Sequence, residues 1–154
     1  MKKLVVAFVA LFFIACDDGD FDVPSFDFEN VVSSCGTYIL HIENSNSTET
    51  LAITLSELDL PDAEGTTELT ITAERNVNYR IYSGAIGTDY FCQNLPPTEP
   101  RVIRELNAES GTIVLETTAV GSKLEHDISF NGLTFQDGQE RIFFETFYFG
   151  VFSN

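Results

Sequence analysis

Residues 111–150 read GTIVLETTAVGSKLEHDISFNGLTFQDGQERIFFETFYFG, and this stretch decides the fold. Apolar and polar residues alternate with a period of two, as in a strand with one buried face. Thr112 to Thr118 reads as one strand, ended by a turn at Gly121. Leu124 to Phe130 reads as the next. Asn131-Gly132 and Asp137-Gly138 are hairpin signals, because a type I′ turn needs positive φ at both central residues. Leu133 to Gln136 fits between them. The last strand runs from about Arg141 to Phe152 and is apolar on both faces through Phe143-Phe144-Glu145-Thr146-Phe147-Tyr148-Phe149. Two apolar faces predict a covered, central strand. The alternative is an exposed aromatic patch that meets a partner. Glu145 interrupts the strand, either as a buried acid or as a residue facing solvent.

The same period continues towards the N-terminus. Thr37 to Ile42, Leu51 to Leu55, Leu69 to Thr72 and Tyr79 to Tyr82 are short runs of β-formers. Asn, Ser, Pro and Gly bound each of them. Gly84 to Pro100 holds Pro96, Pro97 and two glycines and predicts a long irregular connection. Glu99 to Ser110 suits a short helix or a strand. Ten or so strands without a three-turn helix predict an all-β domain over residues 25–154. Its expected architecture is an antiparallel β-sandwich, immunoglobulin-like or jelly-roll-like.

The first residues carry an address. Lys2 and Lys3 precede an apolar run from Leu4 to Ala15. That run is shorter than the about 20 residues needed to span a bilayer, so residues 1–15 read as a signal peptide. Phe13-Ile14-Ala15-Cys16 resembles the bacterial lipobox, with Phe13 where Leu is usual. The resemblance implies that Cys16 becomes the lipid-bearing N-terminus, and two or more acyl chains hold a protein stably on a bilayer. Residues 16–24 then form an acidic tether. The tract Asp17 to Asp22 resembles the surface-export signal of Bacteroidota lipoproteins. It implies the outer membrane, with the cell surface expected and the periplasmic face as the alternative.

Removing residues 1–15 from the 154 leaves 139, enough for one domain with its own core. The whole chain has 8 basic and 24 acidic residues; without Lys2 and Lys3 its net charge is −18. Such a surface repels phosphate backbones, which excludes nucleic acid as a partner. The domain keeps 11 of the 14 Phe and all 5 Tyr, so it has apolar area to bury. Cys35 and Cys92 remain once Cys16 is acylated. In an exported domain they read as one disulfide across a 57-residue separation, or else as two buried thiols.

No catalytic motif is present. His41 and His126 lie singly in strands expected to leave them half-exposed, without metal-ligand spacing. There is no nucleophile elbow and no phosphate-binding glycine loop. Glu43, Glu57, Glu116, Glu125 and Glu145 lie on or near strands, but paired carboxylates arise by chance among 24 acids. Asp59, Asp62, Glu64 and Glu68 share one loop and are weak calcium candidates, with a solvated loop preferred. No cofactor is implied. Tyr79, Tyr82 and Tyr90, if exposed on a concave face, would suit a glycan; an exposed patch from Phe143 to Phe152 would suit a protein.

Cys16-Asp-Asp-Gly-Asp, Phe26-Asp-Phe-Glu, Asn76-Val-Asn-Tyr-Arg and Tyr90-Phe-Cys with Pro96-Pro-Thr-Glu-Pro resemble a group of flavobacterial lipoproteins. That resemblance implies a β-rich envelope lipoprotein and supplies no catalytic residues. The expected function is a non-enzymatic surface module for a protein or glycan partner. The alternative is a small glycan-binding or glycan-hydrolysing protein with acids on a sheet.

Overall fold

The computed structural model describes residues 24–36, 39–95 and 97–153. The signal peptide, Cys16 and most of the tether lie outside the described residues. Eight strands and two single 3-10 turns, Glu57–Asp59 and Tyr90–Cys92, are present among the described residues. The strands are β1 (Ser33–Cys35), β2 (Ile39–Glu43), β3 (Glu49–Thr54), β4 (Gly65–Thr70), β5 (Val77–Tyr82), β6 (Val102–Val120), β7 (Lys123–Asp137) and β8 (Glu140–Ser153). All pairings are antiparallel, in the order β1-β2-β3-β5-β6-β7-β8, with β4 beside β6. The all-β antiparallel expectation therefore holds. Consecutive strands pair with each other except around β4, which lies beside β6 and leaves β3 to pair with β5.

One strand belongs to both layers. The first half of β6 pairs with β5, and the second half pairs with β4 and β7. The register slips on both sides of Ser110, where Gly111 has φ 145°. A Cβ on Gly111 would lie 3.1 Å from the Leu133 Cα, so only glycine lets the strands turn this corner so closely. β7 bends at the same level. Asn131-Gly132 makes no hairpin: Asn131 pairs Thr146 and Leu133 pairs Phe144, so β7 continues through it. Gly132 spends its positive φ of 64° on the bend instead. Asp137-Gly138 is the real turn into β8.

The bend brings the inner faces together. Leu40, Ile42, Leu51, Ile53, Val77 and Tyr79 of one layer share a core with Ile113, Leu115, Ile128, Phe130, Phe135 and Phe149 of the other. Each such side chain contributes about 1.5–3 kcal/mol when fully buried. Alternation along β6 and β7 sends Glu116, Glu125 and Asp127 outward.

The open side is crossed by a strap, residues 24–32. Phe26 stacks on Tyr79 at 4.3 Å and approaches Phe135 and Phe144 at 5.4 and 5.0 Å. Ser25 Oγ and the Tyr79 hydroxyl both donate to Glu49 Oε2, at 2.8 and 2.5 Å. Burial, and then the Glu49 carboxylate, raise the pKa of that hydroxyl. Asn30 Nδ2 donates to the Tyr148 and Phe149 carbonyls on the free edge of β8. Gly150 makes room for this contact, since a Cβ there would meet the Asn30 carbonyl oxygen at 2.6 Å.

A second, smaller core covers the outside of the first layer. Cys35 and Cys92 are joined in a disulfide with Cα atoms 5.1 Å apart. It holds the 83–101 connection over the sheet, where Tyr82, Ile86 and Tyr90 are buried with Phe91 against them.

Candidate functional site

β8 places its side chains in two sets. Ile142, Phe144, Phe147, Phe149 and Phe152 belong to the core or pack against it. Phe143, Tyr148 and Val151 face outward and are 56, 49 and 44% exposed. The strict period of two breaks twice, at Glu145-Thr146 and at Gly150-Val151. The second break lies opposite the register shift between Ile128 and Ser129. These breaks put aromatic residues on both faces, and among the described residues β8 is the edge strand of its layer. Glu145 faces solvent, which settles it as a surface acid.

The register fixes what surrounds these residues, because cross-strand partners share a face. Glu68, Val114, Ser129 and Tyr148 form one row across β4, β6, β7 and β8. Thr66, Glu116, Asp127 and Val151 form the next. Glu116 and Asp127 are directly opposed, an arrangement that costs stability in an isolated sheet. Partial desolvation, and then the nearby Asp127 carboxylate, raise the Tyr148 pKa. The Arg141 guanidinium sits 5.7 Å from the Phe143 ring centroid. The outer face of β8 thus carries Phe143, Tyr148 and Val151, the last two in rows with acidic residues.

The other expected sites assemble differently. Tyr79, Tyr82 and Tyr90 are all buried, so they form no ligand platform. Tyr79 is on the inner face, while Tyr82 and Tyr90 meet edge to face at 5.0 Å under the 83–101 connection. The calcium candidates do not converge. Asp59 is buried, accepts from Ser56 Oγ and the Ser56 amide, and pairs with Arg75 at 2.5 Å. Burial would raise its pKa, but these bonds outweigh burial and hold it below the ordinary value. Glu64 accepts from the Ala119 amide instead, and Asp62 and Glu68 are exposed. Among the described residues no group of three or more His, Cys, Asp or Glu is placed to hold a metal ion.

Both histidines are buried, which corrects their expected half-exposure. His126 Nδ1 lies 2.9 Å from Thr117 Oγ1. The His41 ring packs at a tilt on Phe91, centroids 4.5 Å apart, with Nε2 3.4 Å from Glu43. Burial lowers the His41 pKa against the pull of Glu43. The unfolded chain takes up this proton near pH 6.5 and the folded chain only at lower pH, so stability falls as the pH drops through about 6.5. Wild-type protein should therefore unfold more easily at pH 5 than at pH 7, and His41→Gln should flatten that difference. A variant whose pH profile overlays the wild type would show that His41 carries none of it.

Sequence reasoning missed Asn30, Asn76, Asn78 and Asn107, whose side chains fix the strap and a cleft beside β6. The spacing Asn76-x-Asn78 was the one available sign, since i and i+2 share a face of a strand. Comparisons with protein-family models, curated proteins and solved structures found no match. Among the described residues no helix is long and apolar enough to cross a membrane.

Proposed function

We propose that this protein is a non-catalytic binding module of the cell envelope, carried by a lipid on Cys16, with a basic protein as its partner. The exposed stripe Phe143, Tyr148 and Val151 carries the reading. Three large apolar side chains on an outer strand form a patch of the kind that soluble monomers avoid and interfaces use. The rows containing Glu68, Glu116 and Asp127 give that patch its sign. A cationic partner relieves the Glu116–Asp127 repulsion on docking, and complementary charge speeds the encounter. Burial of Tyr79, Tyr82 and Tyr90 removes the aromatic platform that a stacked sugar would need. The acidic tract after Cys16 supports display at the outer surface of the outer membrane.

The test is site-specific photo-cross-linking in intact cells from position 148, with position 105 on the other layer as control. One cross-linked species is expected, a protein of basic net charge. Adding Val151→Ser should reduce it about tenfold, since losing a buried apolar contact costs about 1–3 kcal/mol. Cys16→Ala should release the protein from the membrane and abolish the cross-link. Equal cross-linking from positions 148 and 105, or an acidic partner, would count against the reading.

A further inference from the structure

Three asparagines meet where β5 begins. Asn78 and Asn107 are register partners on the outer face of β5 and β6. Asn107 Oδ1 accepts twice, from Asn76 Nδ2 at 3.0 Å and from Asn78 Nδ2 at 2.9 Å. This fixes the Asn107 amide and uses its acceptor. Its two N–H donors and the Asn76 Oδ1 acceptor make no hydrogen bond within the described residues.

Both residues line an open cleft of about 430 Å³ with Ile71, Ala73, Ala108 and Glu109. Asn78 is only 8% exposed, and its own Oδ1 is buried without a partner. Such an orphan costs stability, which an apolar side chain would avoid. Its neighbour across the strand pair, Ala52, is such a side chain. What Asn78 achieves is to hold Asn107 in one orientation.

We propose that this cleft binds a neutral, hydroxyl-bearing saccharide. The proposal is independent of the β8 surface, which lies in the other layer. Each sugar hydroxyl both donates and accepts, so adjacent hydroxyls match the fixed donor of Asn107 and the acceptor of Asn76. Glu109 adds an acceptor, and Ile71, Ala73 and Ala108 offer aliphatic contact to ring C–H groups. The volume falls in the about 300–1,000 Å³ range of small-ligand sites. Glu109 and the net charge of −16 disfavour acidic sugars. An extended peptide would need a free ladder edge. β6 has none here, because Asn107 pairs with Asn78 on one side and Ala108 pairs with Phe135 on the other.

The experiment is titration of the full chain in detergent micelles with cellotriose, mannotriose, N-acetylchitotriose and a blocked tetra-alanine peptide. At least one sugar is expected to bind with a Kd of about 1 mM or tighter. Asn107→Asp keeps the oxygen that accepts from Asn76 and Asn78 but removes the free donor. It should leave the melting temperature near that of the wild type and weaken sugar binding about tenfold, the scale of one lost hydrogen bond. Asn76→Ala removes the acceptor without touching the Asn78–Asn107 bond, and should weaken binding similarly even if Asn107→Asp does not fold. Binding of the peptide alone, binding of no sugar, or wild-type sugar affinity in folded variants overturns the proposal.

Discussion

Cys35→Ser or Cys92→Ser lowers the unfolding free energy by about 4 kcal/mol, the chain-entropy value for a loop of this length. The two residues are 57 apart in sequence, so the open form gains a large ensemble once the link is gone. The melting temperature should fall by roughly 10 °C or more for a domain of this size. Reducing agent should do the same to the wild type and nothing further to either variant. A second signature is local. The disulfide ties the 83–101 connection to β1, and that connection covers His41 through Phe91. With the link cut, His41 meets water, and the loss of stability between pH 7 and pH 5 should shrink. A Cys35→Ser protein that melts with the wild type would show that packing of Tyr82, Ile86 and Tyr90 alone holds the connection down.

Phe26→Ala should cost about 3 kcal/mol, the lower end for losing a packed Phe, because Phe26 is only partly buried. Its ring touches Phe28, Tyr79, Phe135 and Phe144, which belong to both layers and to the strap itself. Phe26 also has φ 50°, a left-handed conformation that costs a non-glycine residue about 1–2 kcal/mol. The four ring contacts hold it there. Without the ring the strap should detach before the sheet unfolds, and the Ser25–Glu49 hydrogen bond should go with it. Limited proteolysis would then cut between residues 24 and 32 well below the global midpoint. A variant that resists protease to the same temperature as the wild type would mean that Asn30 and the backbone hold the strap unaided.

Most strands were legible because their alternation follows directly from burial on one face. What failed did so for identifiable reasons. Asn131-Gly132 has the chemistry of a tight turn, yet positive φ at a glycine serves equally to bend a strand. Gly111 facing Leu133 decides between the two, and that contact is 22 positions away in sequence. The last strand was expected to be covered on both faces. Composition cannot distinguish a central strand from an edge strand that breaks its alternation twice. The tyrosines were misjudged for a similar reason. Residues 79–82 alternate, but the outer member, Tyr82, is covered by a connection whose path depends on the disulfide. The acidic loop at 59–68 disperses because Asp59 is taken by an arginine 16 residues on.

The strap also joins parts of the chain that lie far apart in sequence. Asn30 hydrogen-bonds backbone carbonyls 118 and 119 residues further along, and Phe26 packs against Phe135 and Phe144. The strap's contacts therefore cannot form until β7 and β8 are in place. Contacts of such long sequence separation form slowly, because loop closure precedes their reward. If the chain is passed through a membrane N-terminus first, as the proposed lipid anchor implies, the strap can close over the two layers only after β8 has emerged. Any truncation that removes β8 leaves Asn30 without its acceptors and the two layers without their clasp.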